Sequence, residues 1–257
     1  MDKKCTLLLT ACIKPTATKI HAKNRKDPLV RLKDYEVTLN YWLNYSKLVF
    51  TGIVFIENSG FDLSSLKRIV EENNPSNIKI EFLQQQASII PDGLNYGYSE
   101  LEMIDYAFEN SRIIAQSEYI IKSTGRLYFP KLAKLIARLP DDFKIAIDSR
   151  DYEMFHVQKH YLVTTIFIVQ KLFYNQGLNN AKSLMEPGYK SYIERIYFQI
   201  LKPMYLNKQA GIILRLPFSM NPVGFGAHWN VNYNSWNKRL AAAVRDLIRV
   251  VLPSFWI

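Results

Sequence analysis

The sequence has little cysteine, histidine and glycine, and each shortage excludes a class of protein. Two cysteines and four histidines occur in 257 residues, which excludes a disulfide-stapled scaffold and a cysteine-based zinc cluster and favours a reducing compartment. The ten glycines form neither a Gly-Lys-Ser/Thr phosphate loop nor a G-x-G-x-x-G turn, and no G-x-S-x-G elbow is present. No apolar run approaches the roughly 20 residues that a membrane-spanning helix needs.

Hydrophobic and basic residues are plentiful. The chain is 48% hydrophobic and 13% aromatic, enough for one large core rather than a disordered chain. Lysine and arginine number 33 against 23 acidic residues, a net charge of +10. This excess favours a polyanionic partner. Because the charges are scattered and no Arg-rich or Gly-rich tract occurs, we expect phosphorylated small molecules or an anionic membrane, and no nucleic acid.

Apolar strands alternate with amphipathic helices in the first half of the chain. The pattern predicts strands at 5–13, 47–56, 78–83, 118–122 and 143–148. Between them it predicts a helix at 28–44 capped by Asp27, one from Asp62 to about 73, one from a Ser99/Glu102 capping box to 111, and one at 131–138. We therefore expect an α/β fold with a Rossmann-type, mainly parallel sheet and helices on both faces. No linker divides the chain, so residues 1–257 form one domain with a mostly helical part at 151–257.

Several polar residues follow the predicted strands. Lys14 follows the first strand, Lys122 to Arg126 end the fourth, and Asp148 to Asp151 end the fifth. Ligands of open parallel sheets bind at this edge, so a phosphate-bearing substrate above an acidic group is one interpretation. Ordinary polar loop residues are the other. Glu100 is expected beside the same edge, and His228 lies in a Gly- and Asn-rich loop where it would contact substrate.

The last predicted helix, at about 236–252, separates apolar from basic residues. At 100° per residue, one face carries Trp236, Leu240, Ala243, Val244, Leu247 and Val251, and the opposite face carries Lys238, Arg245 and Arg249. The tail adds Phe255 and Trp256. This pattern is typical of a helix at a membrane interface, and equally of a last helix that packs its apolar face on the core.

Four stretches of the chain resemble a known family. They are LTACIKP with DPLVRLKDYEVTLNYWL, GLNYGYSELEMIDYAFENS, EYIIKSTGRLYFP, and YLVTTIFIVQKLFYNQ with YIERIYFQIL. These stretches resemble the nucleotide-sugar-dependent glycosyltransferases of bacterial capsule and O-antigen synthesis, which have a GT-A-like fold. The resemblance implies sugar transfer from a nucleoside diphosphate sugar to a glycan or lipid-linked acceptor, by a cytoplasmic protein peripheral to the inner face of the cell membrane. Residues 1–150 would be the nucleotide-binding half, and 151–257 the acceptor side.

Site roles follow from this resemblance. The donor would be bound by Thr10, Ala11, Lys14, Lys122, Thr124, Gly125 and Arg126. Asp148 would act as the base, with Glu100 and Asp151 as further catalytic carboxylates. Tyr98, His228 and Trp229 would contact the base, the sugar or the acceptor.

The sequence departs from the family at its metal motif. GT-A enzymes usually hold a divalent cation with Asp-x-Asp at the end of a central strand, where this chain has Ser123 to Arg126. We therefore expect Arg and Lys side chains to neutralise the leaving diphosphate and no metal ion to be needed. The acidic residues Asp148 and Asp151 are the alternative ligands for Mn²⁺ or Mg²⁺.

Two other functions remain open at this point. One is a non-catalytic Rossmann-like protein that binds polyanions or a membrane surface. The other is a nucleotidyltransferase, which would bind the same kinds of phosphates. Nucleotide binding without affinity for nucleic acid would favour a transferase over the first of these.

Overall fold

The computed structural model describes residues 4–15, 25–45, 49–150, 161–226, 231–253 and 255–256. The sequence predictions for Asp151, His228 and Trp229 therefore lie outside the described residues.

A seven-stranded sheet forms the centre of the protein. The strands in chain order are β1 (Cys5–Ala11), β2 (Gly52–Glu57), β3 (Lys79–Gln84), β4 (Tyr119–Thr124), β5 (Leu127–Tyr128), β6 (Ile145–Arg150), β7 (Tyr161–Gln170), β8 (Ile212–Ile213) and β9 (Val223–Gly224). The sheet order is β3-β2-β1-β4-β7-β6-β8, and β5 and β9 form a separate two-stranded ribbon. Within the sheet, β7 runs antiparallel to β4 and β6, and the other pairings are parallel. The predicted mainly parallel α/β fold is confirmed.

Helices cover both faces of this sheet. They are α1 (Pro28–Leu43), α2 (Ser64–Glu72), α3 (Tyr96–Asn110), α4 (Arg112–Ala115), α5 (Leu132–Ile136), α6 (Lys171–Gly177), α7 (Ile193–Leu206) and α8 (Trp236–Val251). Alternate residues of β1 enter two different cores, because successive strand side chains point to opposite faces. Leu7 and Leu9 join the core that contains Trp42 of α1, whereas Leu8 joins the core that contains Ile104 of α3.

The helix starts test the capping predictions. Asp27 caps α1, and its side chain accepts a hydrogen bond from the backbone N–H of Leu29 at 2.8 Å, as expected. The prediction that Ser99 begins α3 with a capping box is wrong. The cap of α3 is Asn95, whose side chain accepts from the N–H of Gly97 at 2.8 Å. Ser99 lies one turn inside the helix, and its hydroxyl accepts from Asn58 Nδ2 at 2.6 Å.

The second half of the chain adds strands to the sheet as well as helices. The ten-residue strand β7 lies between β4 and β6, and β8 pairs with β6 at the sheet edge. Both halves of the chain therefore build one sheet. This arrangement brings the first residues of β7 to the edge where the parallel strands end, since β7 runs in the opposite direction.

The orientation of α8 differs from the amphipathic pattern. Its buried residues are Ala242 and Arg249, so the prediction that Arg249 lies on a solvated basic face is wrong. The apolar face points away from the protein, and Trp236 and Leu247 are 76% and 63% exposed. This excludes the interpretation that the apolar face packs on the core. In the described part of the chain, no helix has both the length and the apolar character needed to cross a membrane.

Candidate active site

A cavity of about 310 Å³ opens at the edge where the parallel strands end. Its walls come from the ends of β1, β2 and β4, the start of β7, and the first turns of α1, α3 and α7. Six of the residues predicted from the sequence line it: Thr10, Ala11, Lys14, Glu100, Thr124 and Arg126. The fold therefore collects strand-end residues that are up to 116 positions apart in the chain into one site.

Lys122 lies behind the cavity wall and is completely buried. Its ammonium group forms an ion pair with Glu100 and donates to the carbonyl oxygen of Thr164 at 2.9 Å. A buried ammonium group needs a paired carboxylate to offset the loss of hydration. Lys122 thus holds and neutralises Glu100, and does not itself face the cavity.

Gly125 also lies behind the wall, where it allows two backbones to approach. Its N–H donates to the carbonyl oxygen of Thr10 at 2.9 Å. A Cβ atom at this position would lie 2.8 Å from that oxygen and 3.2 Å from the Tyr35 ring. The glycine therefore fits the turn after β4 against the end of β1, which places the neighbouring Arg126 at the cavity.

The structure does not place Asp148 in the cavity, which corrects its proposed role as a base. Both carboxylate oxygens are bound by Arg249 of α8, at 2.9 and 2.6 Å, and the N–H of Leu216 donates to one of them at 3.3 Å. A carboxylate engaged in this way is not free to accept a proton from a substrate. Asp148 instead attaches α8 to the sheet.

Tyr98 is also outside the cavity. Its ring packs against the core on the α3 side of the sheet, and the ammonium group of Lys182 lies 5.7 Å from the ring centre. Tyr96, two residues earlier at the start of α3, lines the cavity instead. The error in the start of α3 moved the prediction to the wrong tyrosine.

Two cationic residues in the cavity were missed by the sequence analysis. Arg31, on α1, is buried and donates from Nε to the carbonyl oxygen of Cys12 at 2.7 Å. Arg25, just before α1, is paired with Asp34. Neither follows a strand, so the rule that ligands bind at strand ends gave no reason to select them.

One of these arginines, Arg25, meets Arg126 at Phe225. The Arg25 guanidinium lies 4.0 Å from the centre of the Phe225 ring, and Arg126 Nε donates to the carbonyl oxygen of Phe225 at 3.0 Å. With Lys14, four cationic side chains line the cavity. Such a set suits a diphosphate, which guanidinium groups bind with paired hydrogen bonds.

Glu194, at the first turn of α7, is the other functional candidate that the sequence did not reveal. It lines the cavity, and its Oε1 accepts a hydrogen bond from the Thr164 hydroxyl at 3.2 Å. Burial and the nearby Glu100 carboxylate raise the pKa of Glu194 above its ordinary value of 4.5. An acidic group in a cleft with a raised pKa is suited to proton transfer. Its surroundings, YIERIY, contain no local motif.

The described residues do not form a divalent-cation site of the GT-A type, and Asp151, one of the two alternative ligands, lies outside them. Among the described residues, no three His, Cys, Asp or Glu side chains come together as a ligand set. Glu100 already binds the Lys122 ammonium group, and Arg126 lines the same cavity. We therefore derive no chemical step through a metal ion.

Comparison with known proteins identifies the fold. Neither protein-family models nor curated protein sequences match the chain. Among solved structures, it is similar to a 4-diphosphocytidyl-2C-methyl-D-erythritol synthase from Anaerococcus prevotii, with a TM-score of 0.50, 11% identity, and coverage of 94% of this chain and 96% of that one. It is also similar to the mannosyltransferase PcManGT from Pyrobaculum calidifontis, solved with GDP-Man and Mn²⁺, with a TM-score of 0.50 and 11% identity. That match covers 97% of this chain and 64% of the mannosyltransferase.

The chain thus has a GT-A-like α/β fold, shared with these two structures. One of these proteins is named as a synthase and the other as a mannosyltransferase, so the shared fold does not by itself assign a reaction to this chain.

Proposed function

We propose that the protein is a glycosyltransferase that moves a sugar from a nucleoside diphosphate sugar to a glycan or lipid-linked acceptor of a surface polysaccharide. The observation that carries this proposal is the cavity at the strand ends, where four cationic side chains face two carboxylates. In this reaction the acceptor oxygen forms a bond to the anomeric carbon, and the bond from that carbon to the diphosphate breaks. The diphosphate leaves with the electron pair, and its charge must be neutralised.

The cationic residues supply that neutralisation. Arg126 follows β4, Arg31 belongs to α1, and Lys14 is an exposed lining residue. Electrostatic groups of this kind, fixed before the reaction begins, are worth about 2.7–4 kcal/mol each in transition-state stabilisation. Glu194 takes the proton of the acceptor hydroxyl. We prefer it to Glu100, because Glu100 is held by Lys122.

Nucleotide binding tests the proposal directly. A thermal-shift screen with UDP, GDP, CDP, ADP and dTDP should raise the Tm with at least one of them, because a ligand that binds only the folded state stabilises it. Arg126→Ala should remove this shift, whereas Arg112→Ala, at an exposed position on α4, should retain it. No shift with any nucleotide at millimolar concentration, or a full shift in Arg126→Ala, would contradict the proposal.

Nucleotidyl transfer is the second candidate, because the same cationic cavity suits a nucleoside triphosphate and a sugar phosphate. The two reactions release different products. A glycosyltransferase releases a nucleoside diphosphate from a nucleotide sugar, whereas a nucleotidyltransferase releases pyrophosphate from a nucleoside triphosphate. Pyrophosphate release that depends on a sugar phosphate would favour the second candidate over the first.

We further propose that the protein binds an anionic membrane surface, where a lipid-linked acceptor would be found. The support is α8, whose exposed apolar side chains include Trp236, Leu240 and Leu247. Lys238 and Arg239 are exposed on the same helix, and the whole chain carries a net charge of +10. Exposed apolar residues next to basic ones are the features of an interfacial helix.

A further inference from the structure

A second pocket, about 480 Å³ in volume, lies on the outer side of α1. Its lining consists of Val37, Asn40, Tyr41, Asn44, Tyr45, Tyr128 and Pro130, and we call it the tyrosine pocket. Among the residues that the structure describes, its lining includes no lysine, arginine, histidine or acidic side chain. This described lining differs from that of the cationic cavity and offers no cation to a phosphate group.

Three tyrosine rings give the pocket a fixed aromatic wall. The rings of Tyr41 and Tyr128 are stacked with centres 3.8 Å apart, and Tyr45 lies 5.6 Å from Tyr41. The Tyr45 hydroxyl donates to the carbonyl oxygen of Pro130 at 3.3 Å and accepts from the N–H of Ala133 at 3.2 Å. The neighbouring Val37 side chain, which is 51% exposed, extends the apolar surface.

Two amide side chains stand at the rim of this wall. Asn44 Nδ2 donates to the carbonyl oxygen of Asn40 at 2.9 Å, which holds the two residues side by side. No partner within the described ranges engages Asn40 Nδ2 or Asn44 Oδ1, so a donor and an acceptor are open next to each other. The hydroxyl groups of Tyr41 and Tyr128 add two more polar atoms. Burial and the neighbouring tyrosines raise the pKa of Tyr41 to about 12, so its hydroxyl stays protonated.

The combination matches the chemistry of a neutral sugar. A pyranose ring has an apolar C–H face that packs on an aromatic wall, and an edge of hydroxyl groups that pair with adjacent donors and acceptors. Ligand sites in general combine an apolar, aromatic lining with a few placed polar groups. The described lining residues are all uncharged, which favours an uncharged glycan unit over a nucleotide.

The tyrosine pocket is close to the cationic cavity. Leu127 and Tyr128 are consecutive residues of β5, and the first lines the cavity while the second lines the tyrosine pocket. On α1, Tyr35 lines the cavity and Tyr41 the pocket, and six residues of helix span about 9 Å. The two sites therefore share β5 and α1, and the side chains of Leu127 and Tyr128 reach them from opposite faces of β5.

We propose that the tyrosine pocket is a glycan-binding subsite, which holds a neutral pyranose unit of the acceptor chain away from the reacting sugar. This assignment rests on the proposed glycosyltransferase function for the identity of the glycan as acceptor. The binding chemistry itself stands on the pocket alone.

Saturation-transfer difference NMR with maltotriose, cellotriose, chitotriose and galactobiose tests the assignment. The full chain should bind at least one of these neutral saccharides, and the Asn40→Ala/Asn44→Ala double variant should bind it at least tenfold more weakly. Both residues are exposed, so the variant keeps its core. Asn110→Ala is the matched control, because Asn110 Nδ2 makes the same contact to a carbonyl four residues earlier, at 2.9 Å, outside both pockets.

Separate outcomes distinguish this inference from the proposed function. The subsite assignment is overturned if saccharide binding survives in the double variant. It is also overturned if the protein binds uridine or cytidine in place of saccharides, or binds no saccharide at all. The Tm shift given by nucleoside diphosphates should be unchanged in the double variant. If that shift is absent from the wild-type protein while the Asn-dependent saccharide binding is present, the transferase proposal fails and the glycan site stands.

Discussion

At the scale of single residues, the chemistry of the cavity depends on which carboxylates are already engaged. Glu100 and Asp148 each have a cationic partner, Lys122 and Arg249. At Glu194 the carboxylate accepts a hydrogen bond from the neutral Thr164 hydroxyl, and burial raises the pKa of this carboxyl. Within the part of the chain that the structure describes, Glu194 is therefore the cavity carboxylate without an ion pair, which suits it to accept a proton.

Replacing Glu194 by Gln should separate activity from stability. Turnover should fall by about 10²–10⁴-fold if the group acts as a base. Because the native pKa is raised, the folded state keeps a proton that the unfolded state loses as the pH rises above about 4.5. Wild-type stability therefore falls through that window, and the Gln variant, which does not titrate, should gain stability relative to it.

Urea unfolding at a series of pH values measures this difference. Glu186→Gln, in an exposed pair with Lys190, is the control and should follow the wild type. A stability difference between Glu194→Gln and the wild type that does not grow with pH, or full turnover in the variant, would contradict the role of Glu194.

Gly125 gives a second prediction for a single residue. Gly125→Ala should lower the free energy of unfolding by about 1–3 kcal/mol, because the new Cβ lies too close to the carbonyl oxygen of Thr10. Gly177→Ala is the control, since the nearest atoms to its Cβ are 3.9 Å away. Denaturant unfolding of both variants measures the two losses in free energy of unfolding. Equal losses would show that the close approach between residue 125 and the Thr10 carbonyl oxygen is unimportant.

The site could be predicted in part, for a reason visible at single residues. Thr10, Lys14 and Arg126 were predicted because parallel strands must end at one edge of the sheet. Arg31 and Glu194 reach the same cavity from within helices, and nothing in a single sequence says which turn of a helix will face a site on another element. Asp148 also lies at a strand end, but the prediction that it faces the site is wrong because Arg249 of α8 binds it.

At the scale of elements, α8 shows why a helical pattern does not decide which face is buried. The pattern correctly predicts the helix at 236–252, observed at Trp236–Val251, and correctly sorts most of its residues into faces. The protein nevertheless buries a side that contains Ala242 and Arg249. The small side chain of Ala242 permits α8 to approach the rest of the protein closely. The Arg249 guanidinium binds the buried carboxylate of Asp148, which lies 101 positions earlier in the chain. Such a partner cannot be identified from the helix alone.

The Asp148–Arg249 pair should therefore control how firmly α8 is attached. Arg249→Met removes the bidentate partner of a buried carboxylate, leaves only the longer 3.9 Å contact with Arg150 among its described ion pairs, and should cost about 3 kcal/mol. The Asp148→Asn/Arg249→Met double variant removes the charge as well and should recover part of that loss. A double-mutant cycle by urea unfolding measures the coupling. If the losses of unfolding free energy in the two single variants add up to that of the double variant, attachment of α8 through this pair is contradicted.

At the scale of the whole molecule, the positive charge and the outward apolar face of α8 act together. Trp256 cannot contribute to a membrane contact, because it is 9% exposed and lies beneath the Lys202 ammonium group at 4.2 Å. Phe255 is 38% exposed. Deleting the tail would therefore disturb the core, and substitutions on α8 are the better test.

We expect the protein to sediment with phosphatidylglycerol-containing vesicles at low salt and to be released at high salt, because each basic residue near the surface contributes about 1 kcal/mol and salt screens it. Leu240→Ser/Leu247→Ser should abolish sedimentation. Leu172→Ser/Leu206→Ser removes two other exposed leucines and should not. Self-association that depends on Leu240 and Leu247, without vesicle binding, would show that the face contacts a second copy of the chain.

The position of β1 in the sheet has a consequence for the protein while it is being synthesised. This strand is wholly buried in the finished sheet and pairs with β2 on one edge and β4 on the other. About sixty residues separate the end of β2 from the start of β4, which a ribosome adds in roughly 3–12 s. During that interval the apolar edge of CTLLLTA has no neighbour to pair with, and an unpaired apolar edge is a template for association with other chains. The edge of β1 that pairs with β4 in the finished sheet therefore stays without its partner strand until those residues have been added.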